Sequence, residues 1–347
     1  MKPDLTKYTF QLPTAPCWSH TWRKPSFEYL NSNHYDGSIF FNPGARDQLQ
    51  QRMLLKWLFK SKAQPWANGL ATAQHTSNRL VPRERPEVLL DDWKVWFIGH
   101  ATFLIQIGPY NFLTDPMWAE YAGPHQGRGT RRFCPAGIAL EELPPIDAVL
   151  LSHNHYDHMD LASLNWLNER FAMPIFTGLG NAWYLPKHFN VIELDWWQWE
   201  GLGEFKIVYL PAQHSSGRGL RDHNRALWGG FAIKHQQDYC FFAGDTGYSP
   251  HFKAIYQRLG APRVALLPIG GYAPRELMRD LHLSPEDAYQ AHQDLHSKCS
   301  IAMRYRSFQI TEEAREQPEQ ELQRVMRHTS KLINPFYCLH EGKKMIV

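Results

Sequence analysis

The sequence predicts an α/β fold in which helices cover β-sheets. From residue 94 onward, short β-rich runs such as KVWFIGHATFLIQIG, DAVLLSH and FKIVYLPAQH are broken by turn residues. Several runs are apolar throughout, as strands buried on both faces are. Stretches with helical character, such as 161–170 and 250–259, lie between some of these runs. Strands separated by helices are typical of sheets covered on a face by helices.

The segment SPEDAYQAHQDLH predicts another helix. Ser284 suits the N-cap, Pro285 suits the first helical position, and acidic residues follow in the first turn. His292 and His296 are four residues apart in this segment. We expect both on the solvated face of the helix.

The chain of 347 residues is long enough for one large domain, and no linker divides its main part. Residues 1–85 are rich in Pro, Asn, Ser and Trp, and we predict an irregular arm that wraps on a domain formed by 86–347. Within the arm, QLQQRMLLKWLFKSK (48–62) predicts a basic amphipathic helix. Its apolar stripe either packs on the core of the protein or lies in a lipid interface.

Composition and charge exclude several classes of protein. The formal net charge is +3, and no DNA-reading motif carries a basic tract interleaved with aromatic residues, which argues against nucleic acid binding. The five cysteines are scattered and include no Cys-x-x-Cys pair, which argues against a disulfide framework or a thiolate zinc site. The stretch MKPDLTKYTFQLP has no uninterrupted apolar h-region, and nowhere do 18 or more apolar residues run together, so we expect neither an obvious export signal nor a membrane span. We therefore expect a cytoplasmic protein, with the 48–62 helix as a candidate for peripheral membrane contact.

A cluster of metal-ligand types follows an apolar run in LLSHNHYDHMD (150–160). His153 and His155 project to the same side of an extended chain, so both can bind one ion. A turn then brings Asp157 and His158 back, which leaves room for a second ion. Two further donors, at positions 214 and 245, also follow apolar runs. Imidazole and carboxylate ligands suit Zn, Fe or Mn.

These residues and several longer motifs resemble a known family. The pattern His-x-His-x-Asp-His at 153–158 is the signature of the metallo-β-lactamase superfamily. GHAT, FLTDP, ELPPIDAVLLSHNHYDH, VIELDWW, FFAGDTGY and PIGGY look like the branch of N-acyl-phosphatidylethanolamine-hydrolysing phospholipases D, over about 40–308. The resemblance implies a four-layer αβ/βα sandwich with a dinuclear zinc site between two sheets. It also implies cleavage of N-acyl phosphatidylethanolamine to an N-acylethanolamine and phosphatidic acid.

The resemblance also assigns roles to individual residues. It implies that the first zinc is held by His153, His155 and His214, the second by Asp157 and His158, with Asp245 bridging both. His100 and Asp115 match family motifs, and we expect them to hold strand ends and orient the metal ligands. His282 either contacts phosphate, protonates a leaving group, or is a loop histidine without a catalytic role.

Arg304 departs from the family pattern. The branch places a histidine ligand for the second ion in a segment like Ala-Ile-His-Trp-Gly-Thr-Phe, and here the matching segment is AMRYRSF (302–308). An arginine stays protonated and cannot be a ligand. The second ion then binds with fewer protein ligands, or is replaced by the guanidinium beside Asp157 and Asp245, or uses a neighbouring histidine. We favour one tightly bound ion and a second that is weak or absent.

The expected function is zinc-dependent hydrolysis of a phosphodiester, with Fe or Mn as alternative metals. Asp157 would orient the attacking hydroxide, and Arg304 or a second ion would stabilise charge on the phosphoryl oxygens. A metal-bound water or His282 would give the leaving group its proton. The expected substrate is a phospholipid. Two alternatives stay open. One is hydrolysis of a soluble phosphodiester, lactone or other ester, and the other is a non-catalytic, metal-stabilised binding protein in which Arg304 has disabled the second site. The sequence leaves the oligomeric state open.

Overall fold

The computed structural model describes residues 33–43, 66, 92–125, 127–219, 221–328 and 334–347. The predicted helix at 48–62 and most of the predicted arm lie outside these residues. Strands and helices are numbered along the chain. In the part that is described, no helix is long and apolar enough to cross a bilayer.

Seven strands form the first sheet. In spatial order they are β16 (Lys343–Ile346), β1 (Lys94–Gly99), β2 (Thr102–Ile107), β3 (Tyr110–Thr114), β6 (Ala148–Leu151), β7 (Ile175–Gly178) and β8 (Val191–Leu194). From β16 to β3 the neighbours are antiparallel, and from β3 to β8 they are parallel. The runs predicted from sequence include every strand of this sheet except β7 and the edge strand β16.

The second sheet repeats this pattern. In spatial order it contains β9 (Trp199–Leu202), β10 (Phe205–Leu210), β11 (Gly230–His235), β12 (Asp238–Phe242), β13 (Val264–Pro268), β14 (Ser300–Met303) and β15 (Phe336–Tyr337). From β9 to β12 the neighbours are antiparallel, and from β12 to β15 they are parallel. A separate hairpin is formed by β4 (Tyr121–His125) and β5 (Arg128–Arg131).

The two sheets face each other across an apolar core. Aromatic residues of the first sheet contact those of the second, and the ring centroids of Phe112 and Phe205 lie 5.1 Å apart. Both rings are fully buried, as are Phe97, Phe103 and Phe231. Removal of this apolar surface from water is the main force that holds the sheets together.

Helices cover the outer faces of both sheets. The described helices are α1 (Leu161–Phe171), α2 (His251–Leu259), α3 (Arg275–Met278), α4 (Pro285–Asp294) and α5 (Gln317–His328). Leu164 and Leu167 of α1 pack with β3 and β6 on the first sheet. α2, α4 and α5 contribute buried apolar residues to the cluster that contains the second sheet. The order helix, sheet, sheet, helix is the four-layer sandwich, and the predicted fold class is confirmed.

The predicted cap of α4 is confirmed, but the prediction for His292 is wrong. Ser284 Oγ accepts a hydrogen bond from Asp287 N, and Pro285 begins the helix. His292 lies in the core rather than on the solvated face, with Nδ1 2.7 Å from Ser300 Oγ. His296, beyond the helix, is exposed and stacks on Tyr256. Helical spacing alone does not indicate which face of a helix meets the sheet.

Asp160 caps α1 and anchors a second segment. Its Oδ1 accepts a hydrogen bond from Ala162 N at 3.1 Å, in the N-cap arrangement. Its Oδ2 accepts from Ser163 Oγ at 2.6 Å and from Ala119 N at 3.0 Å. One buried carboxylate thus holds the start of α1 and the segment that follows β3.

Replacing Asp160 should destabilise the fold to a degree that depends on how many of its hydrogen bonds are lost. We expect Asp160→Ala to lower the free energy of unfolding by about 2–4 kcal/mol, because both the cap and the acceptor for Ala119 N are lost. Asp160→Asn keeps one oxygen for the cap and should lose about half as much. Urea unfolding measures both values, and wild-type stability of Asp160→Ala would contradict the anchoring role.

Candidate metal centre

The candidate site lies where strands of both sheets end. Asp115 follows β3, His153 follows β6, and the 211–214 segment follows β10. Asp245 follows β12 and Arg304 follows β14. Because the parallel strands of each sheet end at the same edge, their polar residues meet in the groove between the sheets. The structure thus brings together all the site residues that the sequence predicted, and it adds residues that the sequence did not indicate.

Three histidines form the centre of this site. His153 Nε2 lies 2.9 Å from His155 Nδ1, and His214 Nε2 lies 3.2 Å from the same atom. The three ring nitrogens therefore face one point. Ligands about 2.0–2.1 Å from a tetrahedral ion are about 3.3 Å apart, so this cluster has the dimensions of a metal site.

Hydrogen bonds on the far side of two rings select their tautomers. Ser152 Oγ donates to Asp115 Oδ2 at 2.6 Å, so it accepts from His153 Nδ1 at 2.9 Å. The Nδ1 of His214 lies 2.9 Å from the carbonyl oxygen of Leu281, which can only accept. Both rings therefore carry their proton on Nδ1 and direct the lone pair of Nε2 to the common point.

Asp115 links the strand ends to the site. Its Oδ1 accepts from Ser152 N at 2.7 Å, and its Oδ2 lies 2.6 Å from His158 Nδ1. His158 Nε2 then faces the carboxylates of Asp157 and Asp245, each at 3.3 Å. His100 holds Asp157 from the other side, with its Nε2 3.0 Å from Asp157 Oδ2. The predicted orienting role of Asp115 and His100 thus has specific contacts to support it.

The guanidinium of Arg304 lies between the carboxylates that were expected to bind a second ion. Arg304 Nε donates to Asp245 Oδ2 at 2.6 Å, and Nη2 lies 3.6 Å from Asp157 Oδ2. The side chain is almost fully buried, with 4% of its surface exposed. Of the three alternatives for this position, the geometry favours replacement of the second ion by the guanidinium.

Two glycines make room for this arginine. The chain turns at Arg304, whose φ is 61°, and a Cβ atom at Gly271 would overlap Arg304 Nη1. A Cβ atom at Gly270 would overlap the carbonyl oxygen of Arg304. The Oε1 of the buried Glu313 accepts from Gly271 N, and its charge adds to the field that holds the guanidinium. The motif PIGGY thus contributes a space that fits an arginine, a function that its sequence did not reveal.

The buried charges of this site compensate one another. Burial by itself raises the pKa of Asp245, but Arg304 and His158 lower it well below its usual value. Burial lowers the pKa of Arg304, and the carboxylates of Asp245 and Asp157 raise it above the usual value. Burial also lowers the pKa of His158, which Asp245 and Asp157 then raise well above its usual value.

The three clustered histidines are held neutral by their surroundings. Burial lowers the pKa of His155 to about 4 and that of His214 to about 3. Burial also lowers the pKa of His153 well below the usual value. A neutral imidazole is the form that ligates a metal, so these rings need not lose a proton near pH 7 before an ion binds.

Two buried polar atoms fit a bound cation or ligand. Among the described residues, Asp245 Oδ1 and His282 Nδ1 are buried without a hydrogen-bond partner. Groups of three ligand atoms within 4.8 Å of one another include His153–His155–His214 and His214–Asp245–His282. Buried polar atoms without partners are costly. The residues present therefore fit a metal ion at the three-histidine cluster.

The loop that follows His214 contains Arg218, which contacts the segment 153–159 that carries the proposed ligands. Arg218 Nη1 donates to the carbonyl oxygens of Asn154 and Met159, each at 2.9 Å, and its guanidinium lies 4.1 Å from the ring of Tyr156. The Tyr156 hydroxyl in turn donates to Arg218 O at 2.7 Å. The sequence offered no sign of this clamp, because it depends on two loops that are about 60 residues apart.

Comparison with known families agrees with this geometry. A model described as a beta-lactamase superfamily domain matches residues 110–303, which is more than half of the chain. The chain belongs to the metallo-β-lactamase superfamily. The predicted resemblance is therefore confirmed at the level of the superfamily, and the predicted ligand pattern lies within the matched residues.

The chain is also similar to individual members of this superfamily. An uncharacterized protein of Mycobacterium tuberculosis is 35% identical over 235 residues, covering 64% of this chain and 62% of that protein. The chain thus spans less than two thirds of the mycobacterial protein. The N-acyl-phosphatidylethanolamine-hydrolyzing phospholipase D 1 of Caenorhabditis elegans is 34% identical, covering 66% of this chain and 68% of that protein.

A solved structure supports the fold independently. The metallo hydrolase from Ignicoccus hospitalis superposes with a TM-score of 0.56 at 22% identity and covers 74% of this chain and 98% of its own. This likeness concerns the metallo-β-lactamase fold and carries no information about substrate. The roles of the individual site residues stay predictions.

Loss of the Asp115 carboxylate should weaken metal binding. In Asp115→Asn one acceptor oxygen becomes an amide, so Ser152 and His158 lose part of the partner that orients them. We expect Zn²⁺ affinity to fall about 10- to 100-fold, measured by competition with a chromogenic chelator. Asp238→Asn is the matched control, because Asp238 pairs with Lys298 at the surface, away from the site. Equal affinities of the two variants would contradict the orienting role.

Proposed function

We propose that this protein is a metal-dependent phosphodiester hydrolase that cleaves N-acyl phosphatidylethanolamine to an N-acylethanolamine and phosphatidic acid. The observation that carries the proposal is the buried Arg304 guanidinium beside the three-histidine cluster. A fixed cation next to a metal site suits a substrate with an anionic reacting centre. The worm relative, named as a phospholipase D for this lipid, supports the choice of substrate.

His153, His155 and His214 would hold the ion, and Asp245 would complete its ligand set. Zn²⁺ is the metal we propose, with Fe or Mn as alternatives, since imidazole and carboxylate ligands bind all three metals. When bound, the ion would supply a Lewis acid and a water of lowered pKa. Asp245 Oδ1, buried and without a partner in the described structure, is available to that ion.

The remaining residues would position the substrate and the nucleophile. Asp157, held by His100 at 3.0 Å, would orient the attacking water. Arg304 would offset charge on the phosphoryl oxygens as water adds to phosphorus and the bond to the ethanolamine oxygen breaks. His282, whose Nδ1 lies 3.7 Å from Asp245 Oδ2, would contact the phosphate or give a proton to the leaving alkoxide. We propose peripheral contact with a membrane surface, where this lipid lies.

Two other functions are distinguished by their substrates and metal content. Hydrolysis of a soluble phosphodiester, lactone or other ester would use the same cluster and would proceed without vesicles. A non-catalytic binding protein would bind an ion and hydrolyse none of these substrates. We favour the lipid hydrolase because the worm relative carries that name and the fixed cation suits a phosphodiester.

Removal of a proposed ligand should abolish hydrolysis. In His155→Ala one nitrogen of the cluster is lost, and in Asp245→Asn the carboxylate that contacts Arg304 and His158 loses its charge. We expect the release of N-acylethanolamine from vesicles of N-acyl phosphatidylethanolamine to fall at least about 1,000-fold in both variants. Asp238→Asn should retain wild-type rates. Undiminished hydrolysis by His155→Ala would refute the proposed centre.

Replacement of Arg304 should change the number of ions bound. We expect the wild-type protein to hold one ion, because a guanidinium so close to a dication would repel it. Arg304→His removes the fixed charge and adds a ligand, so elemental analysis should find up to two ions per chain. Arg304→Lys keeps a positive charge and should stay near one. The same ratio in all three proteins would contradict the proposed role of the guanidinium.

A further inference from the structure

The segment 33–43, which precedes the domain in sequence, packs against the candidate site. Tyr35 and Phe40 are buried, and their rings contact each other with centroids 4.6 Å apart. His34 Nε2 lies 2.8 Å from Asp195 Oδ1, and the His34 ring stacks on Trp196 at 4.2 Å. These contacts hold residues 34–40 in place independently of Asn42.

Asn42 contacts the backbone of the proposed ligand His214 at two points. Asn42 Nδ2 donates to His214 O at 2.7 Å, and His214 N donates to Asn42 Oδ1 at 3.1 Å. The side-chain amide thus pairs with both polar groups of the His214 main chain, as a neighbouring strand would. Asn42 is 8% exposed, so water does not readily replace this pairing.

Two neighbouring N–H groups fix the orientation of the Asn42 amide. Trp228 Nε1 lies 3.1 Å from both Asn42 Oδ1 and Ala212 O, and an indole nitrogen can only donate. His214 N also can only donate, and it points to the same atom. Two donors that face one atom require it to be the oxygen. The Nδ2 group must therefore face the carbonyl of His214. A flipped amide would place Nδ2 against the N–H groups of His214 and Trp228, and Oδ1 against the carbonyl oxygen of His214.

We propose that Asn42 is a positioning residue for the metal centre and that it acts through His214. Asn42 fixes the main chain of His214, and Leu281 O fixes the Nδ1 atom of its ring, 2.9 Å away. Together they set the direction of the Nε2 lone pair, which has to meet those of two other histidines. The inference rests on His214 as a metal ligand and does not depend on the substrate. It makes Asn42, the residue of segment 33–43 that contacts His214, part of the site.

Binding of Co²⁺ tests this proposal, because its visible absorption reports the geometry of the ligands. We expect Asn42→Ala to raise the Co²⁺ dissociation constant about 10- to 100-fold and to shift the absorption bands. The matched control is Phe40→Leu, which removes buried volume from the same segment while the Asn42 contacts stay in place. This control should lower the thermal stability of the apoprotein and leave both the dissociation constant and the bands at wild-type values.

The outcomes separate this inference from the proposed function. If Asn42→Ala does not fold, Asn42→Ser replaces it, since the serine side chain is shorter and has one polar atom where Asn42 uses both Nδ2 and Oδ1. The proposal is overturned if the alanine or serine variant binds Co²⁺ as Phe40→Leu does, with unchanged bands. A wild-type protein that binds no Co²⁺ would overturn the metal centre itself. If the wild-type protein does not hydrolyse the lipid but Asn42→Ala changes Co²⁺ binding as expected, the proposed substrate is wrong and the role of Asn42 stands.

Discussion

The buried ion pairs of Arg304 are the interaction on which the rest of the site depends. Two carboxylates, Asp157 and Asp245, lie deep in the groove, and each would be costly to bury as an anion without a nearby cation. The guanidinium supplies that cation from a fixed position at the end of β14. In the proposed site it leaves the three-histidine cluster as the place for a metal ion.

The fold makes this arrangement possible by dividing the site between two rigid sheets. The first sheet contributes the ligand segment after β6 and Asp115 after β3, and the second contributes His214, Asp245 and Arg304. Of the proposed ligands, His153 is oriented by Ser152 and Asp115, which follow β6 and β3. Because these groups belong to buried strands or to the turns that follow them, the site is preorganised by the same packing that stabilises the protein.

The departure from the family pattern and the proposed function are compatible. Phosphodiester cleavage needs an activated nucleophile and compensation of charge on the phosphoryl group, and these two tasks need not both fall to metal ions. The proposed function assigns one task to the histidine cluster and the other to Arg304, a cation that cannot dissociate. The glycine pair at 270–271 shows that the surrounding chain accommodates this arginine closely.

The sequence by itself determined the α/β class and most of the strands, because apolar runs and their periodicity are local properties. Spacing indicated the donors from His153 to His158, and position after an apolar run indicated His214 and Asp245. His100, Asp115, His282 and Arg304 were indicated only by the resemblance to the family. The sequence did not determine the face on which His292 lies, the hairpin of β4 and β5, the strands β7, β9, β11, β15 and β16, or the clamp of Arg218 on residues 154–159. The pairing of Asn42 with His214 and the space at Gly271 for Arg304 were likewise decided by the tertiary structure. These features join residues far apart in the chain, and only the packing of the two sheets brings such residues within hydrogen-bond distance.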